Sequence, residues 1–328
     1  MSTLDAKQAG PPRLRDRVQR LHLAVLRDYA IVFSCAALFV TLWLSSSSFL
    51  TKTNLLNILD QSSALGIIAA GGTVVFIAGG FDLSVGAVFG MTGVVAAQLD
   101  IHLGAGGAFL VALMLGIGIG IFNGLLVTLG RINAFMATIG TNFVFSGLAL
   151  VLTGGYLISV ANPSYALLGR SEFIGLKYDI WVWAGFVLLL TFLLEMTTFG
   201  RYCFASGGNP QAARLSGIRV DLIRTSAFAI SGLSAALGGI IVSSRVSTGQ
   251  ADSGSNIMLT VIAAIVIGGT SIFGGEGAIW RSVLGILLLT LIGNGFALLN
   301  INPIYDQVLQ GMIILFAVGL DAWTRQTG

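Results

Sequence analysis

Long apolar runs separated by short polar breaks dominate the chain and predict helices that cross a membrane. A helix needs about 20 residues to span the hydrocarbon core, and most of these runs approach that length. The pattern therefore predicts an all-α, polytopic membrane protein with about ten spans, a count of eight or nine being the alternative. The predicted spans are 30–48, 57–79, 84–100, 105–129, 134–153, 180–197, 225–245, 258–273, 281–299 and 304–323.

The composition excludes a soluble protein. Hydrophobic residues make up 55% of the chain and charged residues only 9%, whereas about a quarter of the residues of a soluble domain are charged. The lipid bilayer is therefore the first partner to expect. The net charge of +3 does not indicate nucleic-acid binding, because the basic residues are distributed according to the predicted topology.

The basic residues predict that both termini are cytoplasmic. With ten spans and a cytoplasmic N-terminus, thirteen basic residues lie in inside segments and four in outside segments. Cytoplasmic loops of membrane proteins carry such an excess. The segment 198–224 is then cytoplasmic. The inside residues are Lys7, Arg13, Arg15, Arg17, Arg20, Arg27, Arg131, Arg201, Arg214, Arg219, Arg224, Arg281 and Arg325, and the outside residues are Lys52, Arg170, Lys177 and Arg245.

The predicted organisation is a cytoplasmic basic tail, residues 1–28, followed by a transmembrane domain, residues 29–328. Apolar residues recur at helical spacing in the tail, between arginines. This favours an amphipathic helix on an anionic membrane surface, and a solvated tail that only sets orientation is the alternative. The apolar positions are Leu14, Val18, Leu21 and Val25.

Polar and small residues inside the predicted spans indicate helix contacts or a polar pathway. Gly116, Gly120 and Gly124 lie on one face of the fourth span, a spacing typical of closely packed membrane helices. Polar side chains at membrane depth are costly, so they face other helices or a watery path. For each of them, the alternative to lining a pathway is a hydrogen bond between helices. The candidates are Asn123, Thr138, Asn142, Asn294 and Gln310.

The stretch IAGGFDLSVG, which ends at Gly86, predicts a tight turn between the second and third spans. Asp82 or Ser84 is expected to cap the helix that starts near Val85. A similar stretch, VIGGTSIFGG, ends at Gly275. When Gly79 is aligned with Gly268, Gly80 matches Gly269, Leu83 matches Ile272 and Gly86 matches Gly275. Such internal duplication is common in transporters.

Several absences exclude function classes. None of the lysines, Lys7, Lys52 and Lys177, follows a glycine, so the chain has no Walker A motif and cannot power ATP-driven transport by itself. The histidines, His22 and His102, are far apart, which disfavours a histidine metal site. The sequence therefore predicts no enzymatic activity, no cofactor and no metal.

The segment 198–224 contains a predicted short helix with a partner-binding surface. Asn209 and Pro210 suit the cap and the first position of a helix. Ala212, Ala213, Leu215 and Ile218 then form a small, mildly apolar surface, surrounded by Arg201, Arg214 and Arg219. The alternative is a solvated loop whose basic residues only fix the topology.

Three stretches in this order resemble one protein family: GGFDLSVG at 79–86, FGRYCFASGGNPQAARLSGI at 199–218 and GGTSIFGGEG at 268–277. Together they resemble the permease subunits of ribose-type ABC sugar importers, in the larger group that includes branched-chain amino acid permeases. The resemblance runs from about residue 50 to the C-terminus.

The resemblance implies a bacterial inner-membrane permease that dimerises around a central pathway and carries a monosaccharide or polyol inward. Its partners would be a second permease copy, separate ATPase subunits and a periplasmic or surface-tethered sugar-binding protein. Branched-chain amino acid import, or a transporter or channel that works alone, is the alternative.

In such importers a short cytoplasmic helix of the permease docks on the ATPase. Gln211, Ala212, Ala213 and Gly217 match the EAA-x-x-x-G spacing of many ABC permeases, with glutamine in place of glutamate and without the downstream Ile-x-Leu-Pro. The docking residues implied are Asn209, Pro210, Gln211, Ala212, Ala213, Arg214 and Gly217, and the motif residues at the two turns are Gly79, Gly80, Asp82, Ser84, Gly86, Gly268 and Gly269.

Overall fold

The computed structural model describes residues 14–302, with side chains from Tyr29 onward, and beyond them residues 304–305, 308–309, 311–312, 315 and 319. This part of the chain is mainly helical. The helices are α1 (Leu14–Ser45), α2 (Lys52–Ile77), α3 (Val85–Thr128), α4 (Ala134–Thr153), α5 (Leu167–Arg170), α6 (Tyr178–Met196), α7 (Thr198–Gly208), α8 (Pro210–Leu215), α9 (Val220–Val246), α10 (Ile257–Ile267) and α11 (Ile279–Leu298).

Short strands and one 3₁₀ helix occupy the loops. Strand β1 (Ile158–Ser159) pairs antiparallel with β4 (Thr248–Gly249), and β2 (Glu172–Phe173) pairs antiparallel with β3 (Leu176–Lys177). The 3₁₀ helix covers Pro163–Ala166. The β1–β4 pair fastens the loop after α4 to the end of α9.

Six helices of the described residues are long and apolar enough to cross a membrane, namely α2, α3, α4, α6, α9 and α11. Helix α3 has 44 residues, so at about 1.5 Å per residue it would be about 66 Å long if straight, twice the hydrocarbon thickness. It is kinked at Gly104, where φ is +66°. The predicted spans 84–100 and 105–129 lie on either side of this kink, and the total of ten spans stays a prediction.

One predicted span differs from the structure, and the boundary of the N-terminal tail stays a prediction. The predicted span 258–273 contains only the 11-residue helix α10, because the chain leaves the helix at Gly268 and Gly269, where φ becomes +77°. The predicted boundary between tail and membrane domain at residue 28 does not interrupt α1, which runs unbroken from Leu14 to Ser45. The helix predicted over Leu14 to Val25 is therefore present, and its position on a membrane surface stays a prediction.

The core lies around α2 and α9. On one side, Trp183 of α6 and Phe228 of α9 belong to a buried apolar cluster with residues of α2. On the other side, Phe76 of α2, Phe89 of α3 and Ile265 of α10 form a second one. Because α2 contributes to both clusters, it is buried along most of its length.

Helices α3 and α9 pack through glycines, as the spacing in the fourth span predicts. A side chain at Gly116 would put its Cβ 2.6 Å from the carbonyl oxygen of Gly232, and one at Gly124 would put it 2.7 Å from Thr225 Cα. At Gly120, the Cβ would overlap the carbonyl oxygen of Phe228. The two backbones therefore touch directly, the arrangement that small residues permit in membrane helices.

We expect Gly116→Leu to destabilise the protein, because a side chain there has to push α3 away from α9. Overpacking of this kind costs about 1–3 kcal/mol. Gly118→Leu is the matched control, since a Cβ at Gly118 meets nothing within 4 Å. The measurement is the thermal unfolding midpoint of the purified protein in detergent, and equal midpoints for the two variants would contradict the packing argument.

Candidate functional site

The three motif stretches meet at one place in the fold. We call this place the glycine junction: Gly79, Gly207, Gly208, Gly274 and Gly275. A side chain at Gly274 would put its Cβ 2.7 Å from Gly79 Cα and 3.1 Å from Gly207 Cα, and one at Gly275 would put it 2.6 Å from Gly208 Cα. The end of α2, the end of α7 and the turn after α10 are therefore in direct backbone contact.

Hydrogen bonds hold this junction together. The backbone N–H of Gly275 donates to the carbonyl oxygen of Ile77 at 2.9 Å. From α9, the side chain of Arg224 donates through Nε to the carbonyl oxygen of Ala78 at 3.1 Å and through Nη2 to that of Ser206 at 3.5 Å. The arginine satisfies carbonyl groups that the ends of two helices leave without an intrahelical partner.

The turns after α2 and after α10 are similar in the structure. Their equivalent residues, however, are offset by one position from the predicted alignment. Gly79 follows α2 with φ +77°, and its counterpart after α10 is Gly269, also with φ +77°, whereas Gly268 has φ −65°. The hydrogen bonds of the two turns show the same offset. The N–H of Gly80 donates to the carbonyl oxygen of Val75, and the N–H of Thr270 donates to that of Ile265. The alignment of Gly79 with Gly268 is therefore wrong by one position, because a single glycine in the left-handed region ends each helix.

Asp82 joins three elements from the turn after α2. Its Oδ1 accepts hydrogen bonds from the backbone N–H of Ser84 at 3.0 Å and from Ser84 Oγ at 2.6 Å, and its Oδ2 accepts one from Ser231 Oγ of α9 at 2.7 Å. Ser84 Oγ in turn accepts from Asn123 Nδ2 at 2.7 Å. Burial raises the pKa of the Asp82 carboxyl, and the hydrogen bonds from Ser84 and Ser231 oppose this rise in pKa.

The expected helix cap is not formed by these side chains. Ser84 precedes α3 but makes no side-chain capping bond, and the N–H that Asp82 accepts belongs to Ser84, before the first residue of the helix. Asp82 is only 5% exposed. Its carboxylate ties the turn directly to α9, and through Ser84 to the second half of α3. Gly86, the last residue of the motif, touches Gly254 through their backbones.

Helix α8 begins as the sequence predicts. Asn209 Oδ1 accepts the backbone N–H groups of Gln211 at 3.1 Å and Ala212 at 3.0 Å, and Pro210 occupies the first turn. At the other end, Gly217 takes φ +84°, while Ile218 N–H donates to the carbonyl oxygen of Ala213 at 3.0 Å. The motif glycine is thus the left-handed residue that ends the helix.

The surface of α8 differs from the predicted one at Ala213. This residue is only 4% exposed, because it lies on the side of the short helix that packs against the protein. The exposed side chains are Gln211, Ala212, Arg214 and Leu215, and Leu215 is 91% exposed. Arg214 forms an ion pair with Asp221 at 2.7 Å, with both side chains about half exposed.

The candidate pathway residues fall into two groups. Asn123, Thr138 and Asn294 are engaged inside the protein: Thr138 Oγ1 donates to the carbonyl oxygen of Ala134 at 2.8 Å, and Asn294 Nδ2 donates to Asn54 Oδ1 of α2 at 2.7 Å. Asn142 lines a cavity between α3 and α4. Gln310 lies outside the described residues.

An ion cluster at the other end of α2 and α9 was not predicted from the sequence. Arg245 of α9 pairs with Asp60 of α2 at 3.0 Å and with Asp179 at the start of α6 at 2.5 Å. Lys177 pairs with Asp60 at 2.7 Å. Asp60, the pair Lys177 and Asp179, and Arg245 come from three distant parts of the chain and follow no motif, so the sequence pattern does not predict that they meet. In the described part of the chain, no group of three or more His, Cys, Asp or Glu side chains could hold a metal ion.

Comparison of the sequence with known protein families identifies the family of the chain. The model of the family described as "Branched-chain amino acid transport system / permease component" matches residues 54–318. The chain belongs to this permease family. It is a multi-pass bacterial membrane protein that serves transport, and its relatives are permeases and not enzymes, as the sequence predicts.

The relatives of the permease include proteins named for sugar import. It is 38% identical to the ribose import permease protein RbsC of Escherichia coli K12 over 84% of this chain and 88% of that protein. It is 35% identical to RbsC of Bacillus subtilis over 94% and 97% of the two chains, and 34% identical to the L-arabinose transport system permease protein AraH of E. coli over 99% and 98%. No solved structure matches the permease.

We expect Ser231→Ala to destabilise the permease, because it leaves the buried Asp82 carboxylate without its hydrogen bond to α9. An unsatisfied buried group costs about 1–3 kcal/mol, and more when it is charged. Ser234→Ala is the matched control, since this buried serine of the same helix bonds only within α9, to the carbonyl oxygen of Ser231. If thermal unfolding in detergent gave the same midpoint for both variants, the link from Asp82 to α9 would contribute nothing to stability.

Proposed function

We propose that the permease is the membrane-spanning subunit of an ABC importer that carries a monosaccharide or a related polyol into the cytoplasm. The observation that carries this proposal is the similarity over most of the chain to proteins named for ribose, L-arabinose and xylose transport. Separate ATPase subunits would drive the cycle, because the chain has no Walker A motif of its own.

We also propose that the permease has ten spans and that both termini face the cytoplasm. In this layout the breaks at 79–84, 198–224 and 268–278 are all cytoplasmic. The glycine junction supports the layout, since Gly79, Gly207 and Gly274 touch one another and so belong to one side of the membrane. The ion cluster around Arg245 then lies at the opposite side.

The ATPase would dock on α7 and α8. Leu215 offers an exposed apolar side chain, and the exposed Arg201 and Arg219 lie in the same segment and could meet carboxylates of a partner. Ala213 supports this surface from inside the protein. Gln211, Ala212, Arg214 and Leu215 are therefore the proposed contact residues of α8, and Asn209, Pro210 and Gly217 shape the helix.

The glycine junction provides a way to transmit movement from the docked ATPase. Gly207 lies at the end of α7 and contacts the end of α2 and the turn at Gly275 through the backbone. Movement of α7 and α8 would therefore push directly on α2 and on the turn between α10 and α11. Differential contacts of the partners with two conformations are sufficient to drive alternating access. A second permease copy would complete the pathway, and a sugar-binding protein would deliver the substrate from the side of the ion cluster.

The need for partners can be tested by reconstitution. In proteoliposomes that contain the permease, the ATPase and the sugar-binding protein of its own transport system, we expect ATP-dependent uptake of labelled ribose, arabinose or xylose. Liposomes with the permease alone should take up none of them. Uptake by the permease alone would overturn the proposal in favour of a stand-alone transporter. Uptake of leucine in place of the sugars would favour branched-chain amino acid import, to which the family description also points.

The docking surface can be tested by substitution of one exposed residue of α8. Leu215→Asp places a charge where an apolar contact is expected, so binding of the ATPase should weaken at least about tenfold, the equivalent of about 1.4 kcal/mol. Leu157→Asp changes another exposed leucine, on the proposed opposite side, and should leave ATPase binding unchanged. The measurement is co-purification of the ATPase with each variant from membranes. Normal co-purification with Leu215→Asp would exclude α8 as the docking site.

A further inference from the structure

The segment between β4 and α10 runs without regular structure along the first half of α3. A side chain at Gly249 would put its Cβ 2.8 Å from Ala97 Cβ, and one at Gly90 would put it 2.5 Å from the carbonyl oxygen of Ala251. Further along, Gly254 touches Gly86. From residue 97 to residue 86, a helix extends about 16 Å. The segment 250–256 therefore follows a helix that is apolar enough to span the membrane.

A non-helical segment beside a membrane-spanning helix requires a physical explanation. Non-helical backbone at membrane depth is tolerated only where it is buried in protein or lines a water-filled cavity. Here it lines a cavity of about 250 Å³ together with α4 and the start of α3. On α4, Asn142, Ser146 and Leu150 face this cavity, since residues four apart lie on the same face of a helix.

The cavity has polar groups on two of its walls. Asn142 and Ser146 come from α4, and Asp252 and Ser255 come from the segment 250–256. Within the described part of the chain, none of these four side chains forms a hydrogen bond or an ion pair. Phe143 and Met258 add apolar surface to the lining.

This distinguishes Asn142 from the other polar residues at membrane depth. Asn123, Thr138 and Asn294 find their partners in neighbouring helices or in their own helix. Asn142 finds none there, although an unpaired amide in an apolar setting is costly. The groups in the cavity therefore need water or a polar ligand, which at membrane depth marks a substrate path.

We propose that this cavity is a sugar subsite on the translocation path. The amide of Asn142 and the hydroxyls of Ser146 and Ser255 can both donate and accept hydrogen bonds, and the Asp252 carboxylate can accept them from sugar hydroxyls. The Phe143 ring offers an apolar surface to the C–H face of a pyranose or furanose. A few polar groups among apolar ones are typical of small-molecule sites. The subsite rests on the proposed function, since it presumes that the permease carries a sugar.

The test uses the complete transport complex in proteoliposomes. Asn142→Ala and Ser255→Ala should each lower uptake of labelled ribose, arabinose or xylose about three- to tenfold, the effect of one lost hydrogen bond. They should also change the ratio of the rates for the three sugars, while ATP hydrolysis without sugar stays at the wild-type rate. Ser253→Ala is the matched control, because Ser253 lies outside the cavity lining and donates to the carbonyl oxygen of Gln250 at 2.8 Å.

A labelling experiment separates a subsite from a general effect on transport. The exposed Ser255 is changed to cysteine after Cys35→Ser and Cys203→Ala remove the other thiols of the chain. A water-soluble methanethiosulfonate should modify it in the complex, and more slowly when the sugar-loaded binding protein is present.

The outcomes distinguish the two proposals. Wild-type transport with unchanged rates and sugar ratios in Asn142→Ala and Ser255→Ala, or labelling that sugar does not slow, would overturn the subsite and leave the proposed function intact. A wild-type complex that transports none of the sugars would overturn the proposed function, and the subsite with it.

Discussion

Direct contact between helix backbones is the constraint on which the rest of the structure depends. Inside a membrane, helices gain little from burying apolar side chains against each other, because lipid is equally apolar. Close packing of backbones is then a main source of attraction. Helix α9 uses it against α3 at Gly116, Gly120 and Gly232, and the ends of α2 and α7 use it at the glycine junction. At these positions any side chain would separate the helices.

The same contacts make the junction suitable for coupling. Flexible side chains between two helices would absorb a small displacement, whereas backbones in contact pass it on. Helix α8 follows α7, and α7 contacts both α2 and the turn after α10. These contacts are between backbones, at Gly207, Gly274 and Gly275. Polar anchors accompany them, with Arg224 on the carbonyl groups at the junction and Asp82 on Ser231. These anchors fix where each helix ends relative to its neighbours.

Local features were predictable from the sequence, because local physics decides them. The cap at Asn209, the apolar helices and the glycine face on α3 follow from residue types at short spacing. The resemblance also named the stretches that meet at the junction. Features that depend on distant residues were not predictable: Ala213 turned out buried, the second glycine turn differed by one residue, and the pairing of Arg245 with Asp60 and Asp179 joins residues from three helices.

Asn142 was predictable as a candidate from the sequence, but its role was not. Its polar side chain inside an apolar run made it a candidate, but so were Asn123, Thr138 and Asn294. Only the fold reveals that the latter three have partners and that Asn142 faces a cavity. The segment 250–256, which contributes Asp252 and Ser255 to the same cavity, belonged to a loop in the predicted layout. Its position along α3 follows from the glycines that allow it to approach.

The two arginines of α9 have a consequence for the lipid around the protein. Arg224 binds the end of α2 near Ala78, and Arg245 binds Asp60 near its beginning. The two arginines are 21 positions apart, which corresponds to about 32 Å of helix, close to the hydrocarbon thickness of about 30 Å. The pair ties α2 to α9 at two places, so the two helices cannot slide past each other to adjust to a thinner or thicker bilayer. Mismatch has to be absorbed by tilt or by deformation of the lipid, which makes membrane thickness a physical variable of the transport cycle.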